Sequence, residues 1–492
     1  MGMRRAKGIG ALPVALALTV LAPVASAATP VNCNANPTTA LGSAIANATP
    51  NSVLAILGMC QEDVTIASAI DWGITITNDT GNLSGAYVSS DGIIGHVTIA
   101  GPVPVAINGI VLEGTATDTG IAGTVLLERG ASVTITNAQI AYGQRNGVAL
   151  QESSTAEIDN VSIYSNGIAG IANASNGISA VGGSHVELGA MNSNGSINAP
   201  AGVSISQNTG NGLFVGADSR LTMSSGAVYG NLGIQIMAVG SALVTLADTF
   251  VAQSSAPPAP AAYAIEGMGT TTLTLLDGTT VEGGGYAGAV QVASSSALIL
   301  VGVSLSNNLS SEPTVNASVN SSIDLSGGNQ ITNNASGGVA AQIDHMSGLY
   351  QALYGGSAAA LAPGPWTATP NTDTITGAGI SVMDSTVDLG VGLLGGNQSL
   401  VWNGTVTMSQ SSTFRMSGGA TINGSLTLAQ GSNGYFSNAN GGSGNVVTGG
   451  VTCPGTVAVS HVAAPANTVL LAPGSSTSAV TLGATPPSCP SF

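Results

Sequence analysis

Apolar residues along this chain fall on alternate positions in short bursts, not at helical spacing. Val133, Ile135 and Ile140 set the pattern, and Ala156, Ile158 and Ile163 repeat it. Val186, Leu188 and Met191 follow; then Leu221, Met223 and Val228; then Val244, Leu246 and Phe250; then Leu273, Leu275 and Val281. Leu298, Leu300 and Leu305 continue the series, as do Ile323, Leu325 and Ile331. Period-two alternation places each leading pair on one face of a β-strand. The units recur at intervals within the range of about 20–50 residues that marks stacked repeats, so each reads as one coil of three short strands.

Three positions beyond the last apolar residue stand Gly143, Asn166, Asn194, Asn231, Gln253, Gly284, Asn308 and Asn334. Asparagine and glycine tolerate a left-handed backbone, so a tight turn is expected there in every coil. Gly147-Val148, Gly177-Ile178, Gly212-Leu213, Gly233-Ile234 and Gly338-Val339 each open a further short strand, while the proline-bearing segment 256–262 reads as a loop outside the register. A β-sandwich is the competing arrangement. It calls for hairpin signals such as Asn-Gly between paired alternating runs, and these do not organise the chain.

Composition agrees with an all-β solenoid. Apolar residues reach 44% and Gly numbers 69, while charged residues are only 6%. This excludes a charge-driven disordered chain and demands a core of small side chains.

The first residues join a basic start (Arg4, Arg5, Lys7), an apolar run over 9–24 and the small triplet Ala25, Ser26, Ala27. This reads as a secretory signal over residues 1–27. A retained membrane anchor is the competing reading, opposed by Pro13, Pro23 and the cleavage-type triplet. No later segment has the apolar length of a membrane-spanning helix, so the mature chain is expected to lack one and to reside in the periplasm, outside the cell or on its surface.

Removal of that segment leaves Arg129, Arg145, Arg220 and Arg415 against 23 carboxylates, a formal charge of about −19. Such a chain repels nucleic acid and acidic polysaccharides. Four cysteines form two pairs close in sequence, Cys33 with Cys60 and Cys453 with Cys489. Three connectivities are formally possible, but the ends of a long solenoid lie too far apart to be bridged, and two local disulfides are expected. The spacing argues against a metal site.

The repeat resembles the pectate-lyase-like β-helix superfamily. The resemblance covers about residues 30–450 and implies a single-chain right-handed parallel β-helix with a short N-terminal capping helix, for which segment 38–46 is the candidate. The expected organisation is a cap and first coil over 28–70, parallel β-helix over 71–345, a long loop over 346–375, further coils over 376–455, and a C-terminal cap or tail over 456–492.

Outward positions of adjacent coils stand about 4.8 Å apart. By that rule Glu157 lies beside Glu187, Asp159 flanks them, and His185 stacks near Arg220. Paired carboxylates suit general acid and base cleavage of a glycosidic bond or, with Ca2+, lyase chemistry. Glu157, Glu187 and Asp159 are therefore the candidate catalytic residues or calcium ligands, and His185 and Arg220 the candidate substrate-binding residues. The competing account is a solvated patch whose members screen one another.

The denser aspartate cluster of pectate-lyase relatives is missing, as are the Asp-Asp, His-Gly and Arg-x-Lys motifs of the polygalacturonase-like group. Arg129 and Glu152 are expected to form a surface ion pair, and His96, His345 and His461 to be solvated or locally bonded. Aromatics, at 3%, read as too few and scattered for a sugar-stacking platform. Two functions remain: a noncatalytic surface protein for adhesion, glycan contact or structural spacing, with a glycan or cell-surface ligand as partner, and a polysaccharide lyase or glycosidase.

Overall fold

The computed structural model describes residues 28–67, 71–79, 90–115, 122–167, 175–189, 202–253, 263–283, 288–307, 312–325, 328–351, 373–389, 400–416, 420–429, 432–436, 445–449, 451–452, 469–471 and 480–482. Segment 1–27, Cys453, Cys489, Met191, Asn194 and His461 lie outside them, as does 352–372 of the expected loop. Strand Gly348–Gln351 falls within the stretch read as loop, and the coil resumes at Asp373–Met383.

The described strands join in one 44-stranded parallel sheet wound into a solenoid. Three strand columns run its length. The first face carries the alternating pairs: Val133 stacks on Ala156, then Val186, Leu221, Val244, Leu273, Leu298 and Ile323 in unbroken register. The second face carries Ile140, Ile163, Ile205, Val228, Val251 and Val281. The third carries Val148, Ile178, Leu213, Ile236 and Ile265. All point inward and are buried, forming one continuous core.

Two second-face assignments from the sequence are corrected. Ile205, not Met191, continues the inner column. Val251, not Phe250, faces the core beside Val228, and Phe250 points outward. In Phe250-Val251 both residues are apolar, and a one-residue shift exchanges the two faces of a strand.

The turn expectation is corrected as well. Left-handed backbone falls on the preceding residues, Tyr142, Ser165 and Gln207, leaving Asn166 and Asn231 themselves out of that conformation. The asparagines are buried and form a ladder. Gly143 N–H donates to Asn166 Oδ1 (3.0 Å), and Asn166 donates N–H and Nδ2 to Asn208 Oδ1 (both 3.0 Å). Asn208 does the same to Asn231 Oδ1 (3.0 and 2.8 Å), and Asn231 Nδ2 reaches Gln235 Oε1 (2.7 Å). An amide both donates and accepts, so identical side chains satisfy one another from coil to coil.

A second ladder runs through Asn146, Asn176 and Asn211, linked by N–H donation to Oδ1 at 2.9 and 3.0 Å. The glycines after these residues are required by contact. A Cβ on Gly177 would lie 2.5 Å from Ile205 Cγ2 and 2.9 Å from Asn208 Nδ2. The sharpest corner joins the third face to the first through two successive left-handed residues, among them Glu152-Ser153, Ala217-Asp218, Val319-Asn320 and His345-Met346. A buried serine follows, and Ser296 and Ser321 donate their N–H groups to the Oγ of Ser321 and Ser347.

The N-terminal end is closed as expected. Helix Ala40–Ala46 lays Leu41 and Ile45 over the open end of the core. Its first N–H groups, on Leu41 and Gly42, donate to the Glu62 carboxylate at 2.7 and 2.9 Å. Strand Thr29–Asn32 pairs with Val53–Leu57, and a disulfide joins Cys33 to Cys60.

Candidate functional site

The first face presents one outer column between its inward pairs: Thr134, Glu157, Glu187, Thr222, Thr245, Thr274, Ile299, Asp324, Tyr350, Asp388 and Arg415. Glu157 and Glu187 are direct neighbours, and His185 is the direct neighbour of Arg220. Asp159 stands opposite Thr136 at the edge of the group. The five side chains share one face, as the spacing implied. Among the described residues, however, no ion pair engages Glu157, Asp159, Glu187 or Arg220. Glu157 and Arg220 are exposed, and the other three are half-buried.

The same column holds a second constellation that sequence reasoning missed. Asp324, Tyr350, Asp388 and Arg415 follow one another on successive coils. Burial pushes the Asp324 carboxyl up to about 6. Burial also raises Asp388, against the opposing influence of Arg415, whose Nη1 lies 3.8 Å from Asp388 Oδ2. The Tyr350 phenol is raised by burial and by the two flanking carboxylates. The alternation that carries Glu157 and Glu187 also places Asp324 between Ile323 and Leu325, but Tyr350, which links it to Asp388, lies in the stretch read as a loop.

On the third face, Glu266 belongs to an outer column with Met237, Gln291, Asn316 and Gln342. It is 7% exposed and accepts the Tyr263 N–H at 3.2 Å. Burial raises both the Glu266 carboxyl and the Tyr263 phenol. No sequence feature marks this pair.

The expected Arg129–Glu152 pair is not formed: Arg129 Nη2 meets Glu128 Oε1 at 3.4 Å. Arg129 and Glu152 both sit in left-handed corners, where the adjacent Glu128 is the nearer partner. His96 is buried, with Nδ1 3.0 Å from Gly123 O, and His345 lies 3.0 Å from Asp344, which raises its pKa. Among the described residues the one grouping of metal-type ligands is Cys33, Cys60 and Glu62. The disulfide and the helix-capping bonds already occupy it.

No protein-family model matches the chain, and no curated protein matches it. The parallel β-solenoid therefore rests on the structure, and among the described residues no helix is long and apolar enough to cross a membrane.

Proposed function

We propose that this is an exported, noncatalytic right-handed parallel β-helix of the pectate-lyase-like kind, held outside the cytoplasm, where its faces make contact with glycans or serve adhesion and spacing. The supporting observation is the outer column of the first face: an unbroken register in which Thr222, Thr245 and Thr274 follow one another and the Glu157–Glu187 pair engages no cation among the described residues. The threonine run suits repetitive, uncharged contact along an axis. The Cys33–Cys60 disulfide fits an oxidising compartment, and the signal-type start fits export. Calcium would enter through the paired carboxylates, whose hard oxygens suit it.

A carbohydrate-active enzyme is the second reading, favoured by one observation: Asp324, with its carboxyl raised to about 6, is suited to general-acid work, and Asp388 stands two coils away. The test is reducing-end and unsaturated-product assays on neutral and acidic polysaccharides, with and without Ca2+. Glu157→Gln/Glu187→Gln and Asp324→Asn/Asp388→Asn variants run beside the parent. The proposal expects no turnover, with glycan or cell binding retained by both variants. Turnover lost in either variant overturns it and places catalysis at that pair.

A further inference from the structure

Four outward aromatic side chains gather on or beside the second face, while Tyr350, Phe214 and Trp72 stand apart from them. Tyr164, Ser206 and Tyr229 occupy one outer column over three consecutive coils. Phe250 stands in the adjoining outer column on the next coil, opposite Ala227. Tyr142 occupies the left-handed corner one coil before Tyr164 and packs edge-on against it, with ring centroids 5.8 Å apart and planes at 78°. Tyr142, Tyr229 and Phe250 are 52%, 42% and 39% exposed, unusual for large rings in a chain with so few. With about 4.8 Å between coils, Tyr164 and Tyr229 stand about 10 Å apart and the row extends about 19 Å along the axis.

What would cover this row follows from its chemistry. Ser162 and Ser204 lie beside the rings, and Ser206 is buried in the column between Tyr164 and Tyr229, so the surface sets hydroxyls among aromatic positions and is not one apolar patch. Segments 139–142, 161–164, 203–206, 226–229 and 249–252 carry no Asp, Glu, Lys or Arg. An uncharged row on a strongly acidic chain disfavours acidic glycans and anionic membranes and offers no ionic anchor for a basic partner. A sugar ring matches it: the C–H face stacks on an aromatic ring while the rim hydroxyls meet serine and tyrosine hydroxyls.

We infer that Tyr142, Tyr164, Tyr229 and Phe250 form a binding row for a neutral polysaccharide chain lying along the solenoid axis. The inference rests on the glycan-contact reading above and assigns it a site and a ligand class.

The experiment is affinity electrophoresis of the full-length protein through gels containing hydroxyethylcellulose, xyloglucan, galactomannan, dextran or, as the acidic comparison, polygalacturonate. Retardation by at least one neutral polymer is expected, weakened at least about fivefold in Tyr164→Ala/Tyr229→Ala and separately in Phe250→Ser. Tyr229→Phe should keep most of the binding, because the stacking ring survives. All four positions point away from the core, so melting temperatures should stay near the parent's. Retardation by a neutral polymer that is unchanged in the variants overturns the row and leaves the glycan-contact reading intact. Retardation by polygalacturonate alone does the same. Absence of any retardation overturns both. Self-association in sedimentation that disappears in the double variant, without glycan binding, would make the row an interface between copies and also overturns the inference.

Discussion

Asn208 gives both its backbone N–H and its side-chain Nδ2 to the single oxygen Oδ1 of Asn231, at 3.0 and 2.8 Å, while its own Oδ1 receives the same two bonds from Asn166. A fully buried residue thus passes hydrogen bonding from one coil to the next. Removing a member leaves buried donors and acceptors on both sides unmatched.

Asn208→Ala is therefore expected to lower stability by about 1–3 kcal/mol. Urea denaturation followed by circular dichroism would measure it. Hydrogen exchange should locate the loss at Asn166 and Asn208, and not at the N-terminal cap.

Gly177→Ala tests the neighbouring column. The new methyl would meet Ile205 Cγ2 and the Gly212 carbonyl, a backbone contact that cannot simply rotate away. Overpacking of this kind costs about 1–3 kcal/mol. Gly130→Ala, where a methyl meets nothing within 4 Å, separates crowding from strain: its φ of 76° leaves only the backbone penalty.

Burial raises the Asp324 carboxyl to about 6, above its ordinary 3.8, so the fold favours the protonated form. Asp324 then contributes most favourably below pH 4 and progressively less as pH climbs through 6. Asp324→Asn should melt higher than the parent at pH 7.5, with the gap closing by pH 4. A gap of the same size at both values would show that the carboxyl is not desolvated in the fold.

The Cys33–Cys60 bridge closes a loop of sequence separation 27 at the capped end. Reduction should weaken that end by about 3.5 kcal/mol in the chain-entropy estimate. Limited proteolysis should then cut around helix Ala40–Ala46 before it cuts the central coils.

Much of this architecture was legible in the sequence, for one physical reason. Where an apolar residue alternates with a polar one, as in Val133-Thr134-Ile135, only one face can turn inward, and the first-face register followed position by position. Phe250-Val251 offered no such contrast, and the inner position went to the β-branched residue. Asparagine types at a fixed offset were visible, but their composition fits a left-handed turn and a buried ladder equally well. The true left-handed corners, such as Ala217-Asp218 and His345-Met346, have no shared residue type, because these corners bond to neighbouring coils through backbone groups and only some add a side-chain bond, as Asn320 does to Ser295. The aromatic row was hidden because Tyr164 and Tyr229 lie far apart in sequence and share a column only through the stacking of coils.

The central claim, that successive coils stack so that Glu157 neighbours Glu187 and not Thr222, has a direct chemical test. Paired cysteines are introduced as Glu157→Cys/Glu187→Cys and, in a second protein, as Glu157→Cys/Thr222→Cys. One coil apart, the Cα atoms fall about 4.8 Å from each other, inside the range of about 4.4–6.8 Å that a disulfide accepts; two coils apart they lie near 10 Å. Peptide mass mapping after mild oxidation should find the new bridge in the first protein and not in the second. A bridge between 157 and 222, with none between 157 and 187, would contradict the register on which every column described above depends.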